Sequence, residues 1–323
     1  MDFSAIIREV GRGKEGATDL DQDTASALYG AMLDDAVPEL ELGGLLIAFR
    51  VKGESDQEML GFYRAMQQRL VKLAADPGRP MPVVIPTYNG ARRLPNLTPL
   101  LALLLSRFGL PVLVHGPLRD PKRITTAEVF AALGIPPCAD IAEVQQRLDT
   151  GNVAFLPVSL LSAGLERLLA LRWRLGLRNS THTLAKLADP FEGRSLRLVS
   201  VSHPDYLVKM ADFARLSGAR MLLLRGTEGE AYANPRRMPE ISFFGDSSSA
   251  VLCEAEEGSI VSIPVLPESM DAQVTAEWIH RALAGEVPVP PPLLAQTACC
   301  LVAAGLAANM AEASALVAAA YPK

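Results

Sequence analysis

The chain has 323 residues, 49% of them hydrophobic and 21% charged, and a formal net charge of −5. That composition excludes a disordered chain, and the charge excludes a global pull toward nucleic acid or an anionic membrane, so any anion site must come from a local cluster. The length is more than one hydrophobic core usually serves and predicts a two-lobed molecule.

The opening segment MDFSAIIREVGRGK has no basic stretch followed by an apolar run, which argues against a secretory leader. TASALYGAMLDDAV carries apolar residues at helical spacing, and ELGGLLIAFRVKG predicts a second helix between Pro38 and Gly53. Ser55 and Glu58 form a capping-box pattern for a third helix through Leu73, and Pro77-Gly78 punctuates the unit. The period changes at residue 82. PVVIP is a short buried strand, followed by a helix with Thr98 as N-cap and Pro99 at its first position. LPVLVHG and VAFLPV are further strands. Thr125 with Glu128, and Asp140 with Glu143, cap the helices between them.

Residues 159–188 return to helix. LRLVSVS, DYLVKMADFARLSG and ARMLLLRG then read as strand, helix and strand. Shorter strands around ISFFGD and VLCEAEEGSIVSIPV are expected to pair antiparallel. TAEWIHRALAGE is helical and EVPVPPP a stiff proline linker. The nearly uncharged stretch 293–321 is interrupted at Gly305, and Asn309 with Glu312 restarts a helix, so two short helices are expected rather than a membrane span. Cys138, Cys253, Cys299 and Cys300 have neither metal-ligand nor bridge spacing and read as reduced thiols in or near the core of a cytoplasmic protein. The expected fold class is α/β. A small all-helical domain (1–78, joined in space by helices from about 159–188) accompanies a larger domain (79–323) with a mainly parallel central sheet covered by helices.

Several segments resemble the anthranilate phosphoribosyltransferases of glycosyltransferase family 3. PELELGGLLIAFRVKGESDQEMLGFYRAMQ is similar to their N-terminal helices, and VLVHGPLRDPKRITTAEVFAALGI to their second sheet loop. LALRWRLGLRNSTHTLAKLADP resembles their substrate-site segment, and TACCLVAAGLAANMAEASALVAAAY their C-terminal helices. By this match Asn89, Gly90, Asn96, Thr98, His115, Gly116 and Arg172 line the pocket. The catalytic motifs depart from the pattern. The family's G-T-G-G-D loop is Pro86-Thr87-Tyr88-Asn89-Gly90, its K-H-G-N-R is Val114-His115-Gly116-Pro117-Leu118, and its paired serines fall on Pro121 and Lys122. The magnesium-holding Asp-Glu pair falls on Ala231 and Tyr232, with Glu228 and Glu230 nearby but off register. The resemblance therefore implies the family's fold without its magnesium cofactor or parent activity. It points to the divergent YbiB-type branch and, with it, to a homodimer formed through the N-terminal helices that binds nucleic acid.

In open α/β sheets ligands sit beyond the carboxyl ends of the strands. The loops expected there carry Arg92, Arg93, Arg119, Lys122, Arg123, Arg225, Arg236 and Arg237, eight basic residues against three acids, Asp120, Glu228 and Glu230. This contrast with the chain's net charge suggests a basic inter-domain cleft for a polyanion, DNA or RNA, with little sequence preference. Ordinary solvated loop charge is the competing reading. Tyr88 either stacks a base or fills the space of the lost glycines. His115 either contacts phosphate or sugar or is structural, and His203-Pro204 shapes a turn. His182 and His280 look helical. Ser247-Ser248-Ser249 is expected in a flexible turn. A transferase with altered substrate and metal requirement, and a scaffold holding a small phosphate metabolite, remain the functional alternatives.

Overall fold

The computed structural model describes all residues except Asp246, Ser247, Ser262, Pro264, Pro322 and Lys323, and the side chains of Lys14 and Pro204 lie outside the description. The chain divides into two compact units, Met1–Lys72 with Val158–Pro190, and Leu73–Pro157 with Phe191–Lys323.

The first unit is helical. The helices Gln22–Leu33 and Asp56–Gln67 pack on each other, with Tyr29 stacked on Phe62 at a centroid distance of 4.9 Å. The turn between Glu39–Lys52 and Asp56–Gln67 is built from its own sequence. Ser55 and Glu58 form the expected capping box. The Glu58 carboxylate is fully buried, where it accepts the Lys52 ammonium at 2.6 Å and the Leu20 N–H at 2.9 Å. The buried Glu58 charge is thus compensated by Lys52 and by backbone donors, so this turn needs no ligand to hold it. The third helix stops at Gln67, short of Leu73, because Val71 donates its N–H to the Leu161 carbonyl instead of continuing the helical ladder.

The second unit holds a seven-stranded sheet: β1 (Val83–Pro86), β2 (Val112–Gly116), β3 (Val153–Pro157), β4 (Leu196–Val201), β5 (Met221–Arg225), β6 (Ile241–Gly245) and β7 (Ser248–Cys253). The order is β3-β2-β1-β4-β5-β6-β7. The first five strands run parallel, and the β5–β6 and β6–β7 pairs are antiparallel. β1 to β4 are buried along their length, as a parallel sheet covered by helices demands. Strand order reverses direction at β1 and β4, which sets a topological switch point between their carboxyl ends.

Four local expectations need correction. Thr98 is the first residue of the Thr98–Arg107 helix and Leu97 the cap, because the Asn96 side chain already takes the Thr98 N–H at 3.1 Å. Only Ser248–Cys253 of the second predicted short strand is β-structure, and no strand follows it among the described residues. Ser248 and Ser249 therefore belong to β7 rather than to a turn, while Ser247 is not described. The proline run is packed rather than a free linker, since Val287 and Val289 are buried and Pro290 and Pro291 open the Pro291–Ala303 helix. That helix and Met310–Ala320 replace the apparent span, with Asn309 capping the second through the Glu312 N–H. Among the described residues no helix is long and apolar enough to cross a membrane, and the four cysteines are unbridged.

Candidate functional site

The loops after β1, β2 and β5 meet at the switch point. The loop after β1 is joined to that after β2 by an antiparallel bridge between Ala91 and Ile124, and the Arg123 guanidinium donates to the Asn89 carbonyl at 2.8 Å. The loop after β5 lies over the end of β4, where the Ser200 hydroxyl donates to the Gly229 carbonyl at 2.8 Å. From there it delivers two carboxylates to the loop after β1.

Those carboxylates fill the backbone cradle. Glu230 Oε1 accepts the N–H groups of Asn89 at 2.7 Å and Gly90 at 2.6 Å, and its Oε2 lies 3.4 Å from the Thr98 hydroxyl. Glu228 Oε2 accepts the N–H groups of Arg92, Arg93 and Leu94 at 2.8, 3.1 and 3.4 Å. Five successive or near-successive amides converging on anionic oxygens form a nest of the kind that holds phosphate elsewhere. Here the anions are the protein's own. The fit is tight: Gly229 has φ +90°, and a Cβ there would lie 1.6 Å from Asn89 Nδ2, which donates to the Glu228 carbonyl. The sequence placed Glu228 and Glu230 off register for a metal and assigned them nothing; their role rests on contacts about 140 residues apart in the chain.

The pocket residues of the family match are drawn inward. Asn89, Asn96, Thr98, His115 and Gly116 are buried, and Asn96 donates to the Thr126 hydroxyl at 2.9 Å. Tyr88 is 5% exposed and its hydroxyl lies 2.7 Å from His115 Nδ1, so it packs in the loop and offers no face to a base. Burial raises its phenol above the usual range. Arg172 belongs to the helical unit, half-buried, with its guanidinium 4.2 Å from the ring centroid of Trp173, which is 45% exposed. Trp173 is an exposed aromatic flanked by arginines that the sequence reading passed over; the run Arg172-Trp173-Arg174 was its signal.

The basic residues point the other way. Arg92, Arg93, Arg119, Lys122, Arg225, Arg236 and Arg237 are exposed, and Arg123 is half-buried on Asn89. Arg92 Nε lies 4.0 Å from Glu228 Oε1, while Oε2 is engaged by the amides of Arg92, Arg93 and Leu94. The family's magnesium position does not fit a dication. Ala231 and Tyr232 are buried, the Tyr232 hydroxyl donates to the Pro95 carbonyl at 2.8 Å, and the flanking backbone is tied to the Gln296 amide. Of the neighbouring carboxylates, Glu230 is held by the Asn89 and Gly90 amides and the Thr98 hydroxyl, and Glu228 lies between the amides of Arg92, Arg93 and Leu94 and the Arg92 guanidinium.

Comparison with known proteins agrees with this architecture. Residues 4–70 match the helical bundle domain of the glycosyl transferase family. The chain is 52% identical over 313 residues to uncharacterized protein YbiB of Escherichia coli (strain K12), covering 97% of each. The chain belongs to the YbiB-type branch of the anthranilate phosphoribosyltransferase-like family. An anthranilate phosphoribosyltransferase of Methylocella silvestris is 28% identical over 326 residues, 96% of this chain and 89% of that protein. The solved anthranilate phosphoribosyltransferase of Thermus thermophilus superposes with a TM-score of 0.77 at 22% identity, over 99% of this chain and 94% of that one. The Saccharomyces cerevisiae enzyme solved with PRPP and Mg shares the fold at a TM-score of 0.71 and 14% identity, over 99% and 93%. On that common fold, this member of the YbiB-type branch has a nest closed by Glu228 and Glu230 and a cationic loop surface above it.

Proposed function

We propose that the protein binds nucleic acid, DNA or RNA, with little sequence preference, through the exposed basic side chains at the carboxyl end of its parallel sheet. The observation that carries this reading is the separation of charge. The carboxylates of the loop after β5 are turned onto backbone amides, while seven of the eight basic residues project into solvent. A surface with a filled backbone nest and exposed guanidinium groups contacts phosphate through side chains, a mode that follows a polymer backbone and reads no bases. The filled nest and the Ala231-Tyr232 position also support absence of the parent phosphoribosyl transfer and of a magnesium requirement. Fluorescence anisotropy with labelled single-stranded and duplex oligonucleotides at low salt tests the reading, and absence of binding to both overturns it. A coupled assay with anthranilate, phosphoribosyl pyrophosphate and magnesium tests the lost activity; turnover at an ordinary enzymatic rate, on the order of 1 per second, refutes that part.

The same reading includes a homodimer in the cytoplasm. On the Glu39–Lys52 helix, Leu40 and Val51 are 85% and 58% exposed, and with the partly exposed Ile47 they follow the spacing of one helical face. An apolar stripe of this kind on a helical unit is suited to a second copy.

A further inference from the structure

Beside the filled nest, the α/β unit contains a crevice of about 750 Å³, a size at which small ligands are held. Its floor is the face of the sheet carrying Leu223 of β5 and Phe244 of β6. One wall is the Pro204–Ser217 helix, through Leu207, Val208 and Ala211, and the opposite wall includes Met238. Glu228 separates crevice from nest: it lines the crevice, yet its carboxylate faces the amides of Arg92, Arg93 and Leu94.

We propose that this crevice binds one nucleotide unit, with the base against the apolar floor and the phosphate on Arg225 and Arg237. The proposal rests on the nucleic-acid reading above and names the part of the strand that enters the protein. Three features select a nucleotide over a plain apolar ligand. First, the Arg215 guanidinium lies 5.4 Å from the Phe244 ring centroid and is tethered to Asp212 at 2.9 Å, so a planar cation is held at the wall, where a base can stack. Second, Arg225 and Arg237 line the crevice, are exposed, and have no carboxylate partner among the described residues. Third, none of the lining acids is ion-paired with them among the described residues. Glu228 is committed to the nest, and Glu240 accepts the Ser242 hydroxyl at 3.0 Å. Glu256, at the same crevice, offers an acceptor for the exocyclic amine of a base. An apolar slot with a stacking cation and two unneutralised guanidinium groups matches an aromatic ring joined to a phosphate, and matches poorly a fatty chain or a bare anion.

Two probes test the assignment: a fluorescent single-stranded oligonucleotide, and a free nucleoside 5′-monophosphate followed by thermal shift. Ala211→Trp fills the slot without removing a cation. It should weaken single-strand binding about tenfold, the size of a lost base stack, while leaving the salt dependence unchanged. It should also abolish the thermal shift from the monophosphate. Val208→Glu, at a position 64% exposed and therefore safe for folding, should also weaken strand binding and abolish the monophosphate shift, here by repelling the phosphate, and so with a loss that salt reduces. Arg237→Ala should lose affinity and also flatten the salt dependence by one contact. Circular dichroism and the unfolding midpoint verify that the variants fold. If Ala211→Trp and Val208→Glu bind strand and monophosphate as the wild type does, the crevice assignment is overturned and the basic-surface reading stands. If the wild type binds no strand at low salt, the basic-surface reading fails, and the monophosphate titration decides the crevice alone: a shift lost in both variants sustains it, and no shift overturns it.

Discussion

The carboxylate of Glu230 sits 2.6 Å from the backbone nitrogen of Gly90, with the Asn89 nitrogen 2.7 Å from the same oxygen. This short contact joins the loop after β5 to the loop after β1 and gives two buried N–H groups an anionic partner. Hydrogen bonds to charged groups contribute roughly 1.5–3 kcal/mol each, and their loss leaves buried donors unpaired. Glu230→Ala should therefore destabilise the α/β unit by about 3 kcal/mol. Glu230→Gln keeps one acceptor oxygen and should cost about half as much. Urea unfolding midpoints read both, and equal midpoints for wild type and Glu230→Ala would show that the contact holds nothing.

Gly229→Ala is expected to be more damaging than its size suggests. The backbone there has φ +90°, and the new Cβ would meet Asn89 Nδ2 at 1.6 Å, which forces the two loops apart. Gly258→Ala is the matched comparison, with φ +84° and open space around the added carbon. The second change should cost about 1–2 kcal/mol for the left-handed backbone alone, and the first clearly more. Similar losses at both positions would remove the steric part of this account.

Much of this framework is legible in the sequence, and the limits have physical causes. The capping boxes at Ser55 and Thr125 are local patterns, and the structure contains both. The parallel strands are short apolar runs set between capped helices, and the resemblance supplied their family. What the sequence hides are choices made by distant partners. Thr98 lost the capping position to Leu97 because Asn96 captured its N–H, and Tyr88 turned inward because His115 stood ready to bond its hydroxyl. Glu228 and Glu230 looked like ordinary loop acids in a basic cluster. Only the folded arrangement, with β1 and β5 on either side of β4, shows that they close the nest.

Stability of the helical unit should depend on pH through His182. Burial, and then the nearby cations of Arg178 and Arg172, push this imidazole down to about 3, and its Nδ1 accepts the Asn179 N–H at 3.3 Å. The native state holds it neutral, whereas the unfolded chain protonates it near 6.5. Above about 6.5 its contribution is fully present. As pH falls toward 3 the unfolded state binds the extra proton and stability declines, by at most about 1.4 kcal/mol per pH unit. His182→Asn should flatten the dependence of the unfolding midpoint on pH between 6.5 and 3. An unchanged slope in the variant would assign the acid sensitivity to other groups.

The exposed stripe on Glu39–Lys52 predicts that Leu40→Asp with Val51→Asp shifts the protein toward monomer, since two charges would be buried without partners in a dimer interface. Both residues are exposed in the single chain, so its fold should persist. Sedimentation velocity of wild type and double variant at micromolar concentration reads the outcome; a wild-type monomer there rejects the dimer.

Phosphate contacts from the basic loops should make nucleic-acid binding steeply dependent on salt. Each neutralised phosphate releases condensed counterions, so the log–log slope of affinity against salt is about −0.7 per contact for single strands and about −0.9 for duplex. Four to six contacts then give a slope of roughly −3 to −5. Arg92→Ala with Arg93→Ala should weaken binding to all sequences and flatten the slope by one to two contacts' worth. Both side chains are exposed. The backbone N–H groups that Glu228 accepts from these two residues do not depend on their side chains, so the filled nest and the fold should survive. Lys72→Ala, in the helical unit, is the control and should bind as wild type does. A double variant with wild-type affinity and slope would move the phosphate contacts away from the loop after β1, to the cations of the loops after β2 and β5.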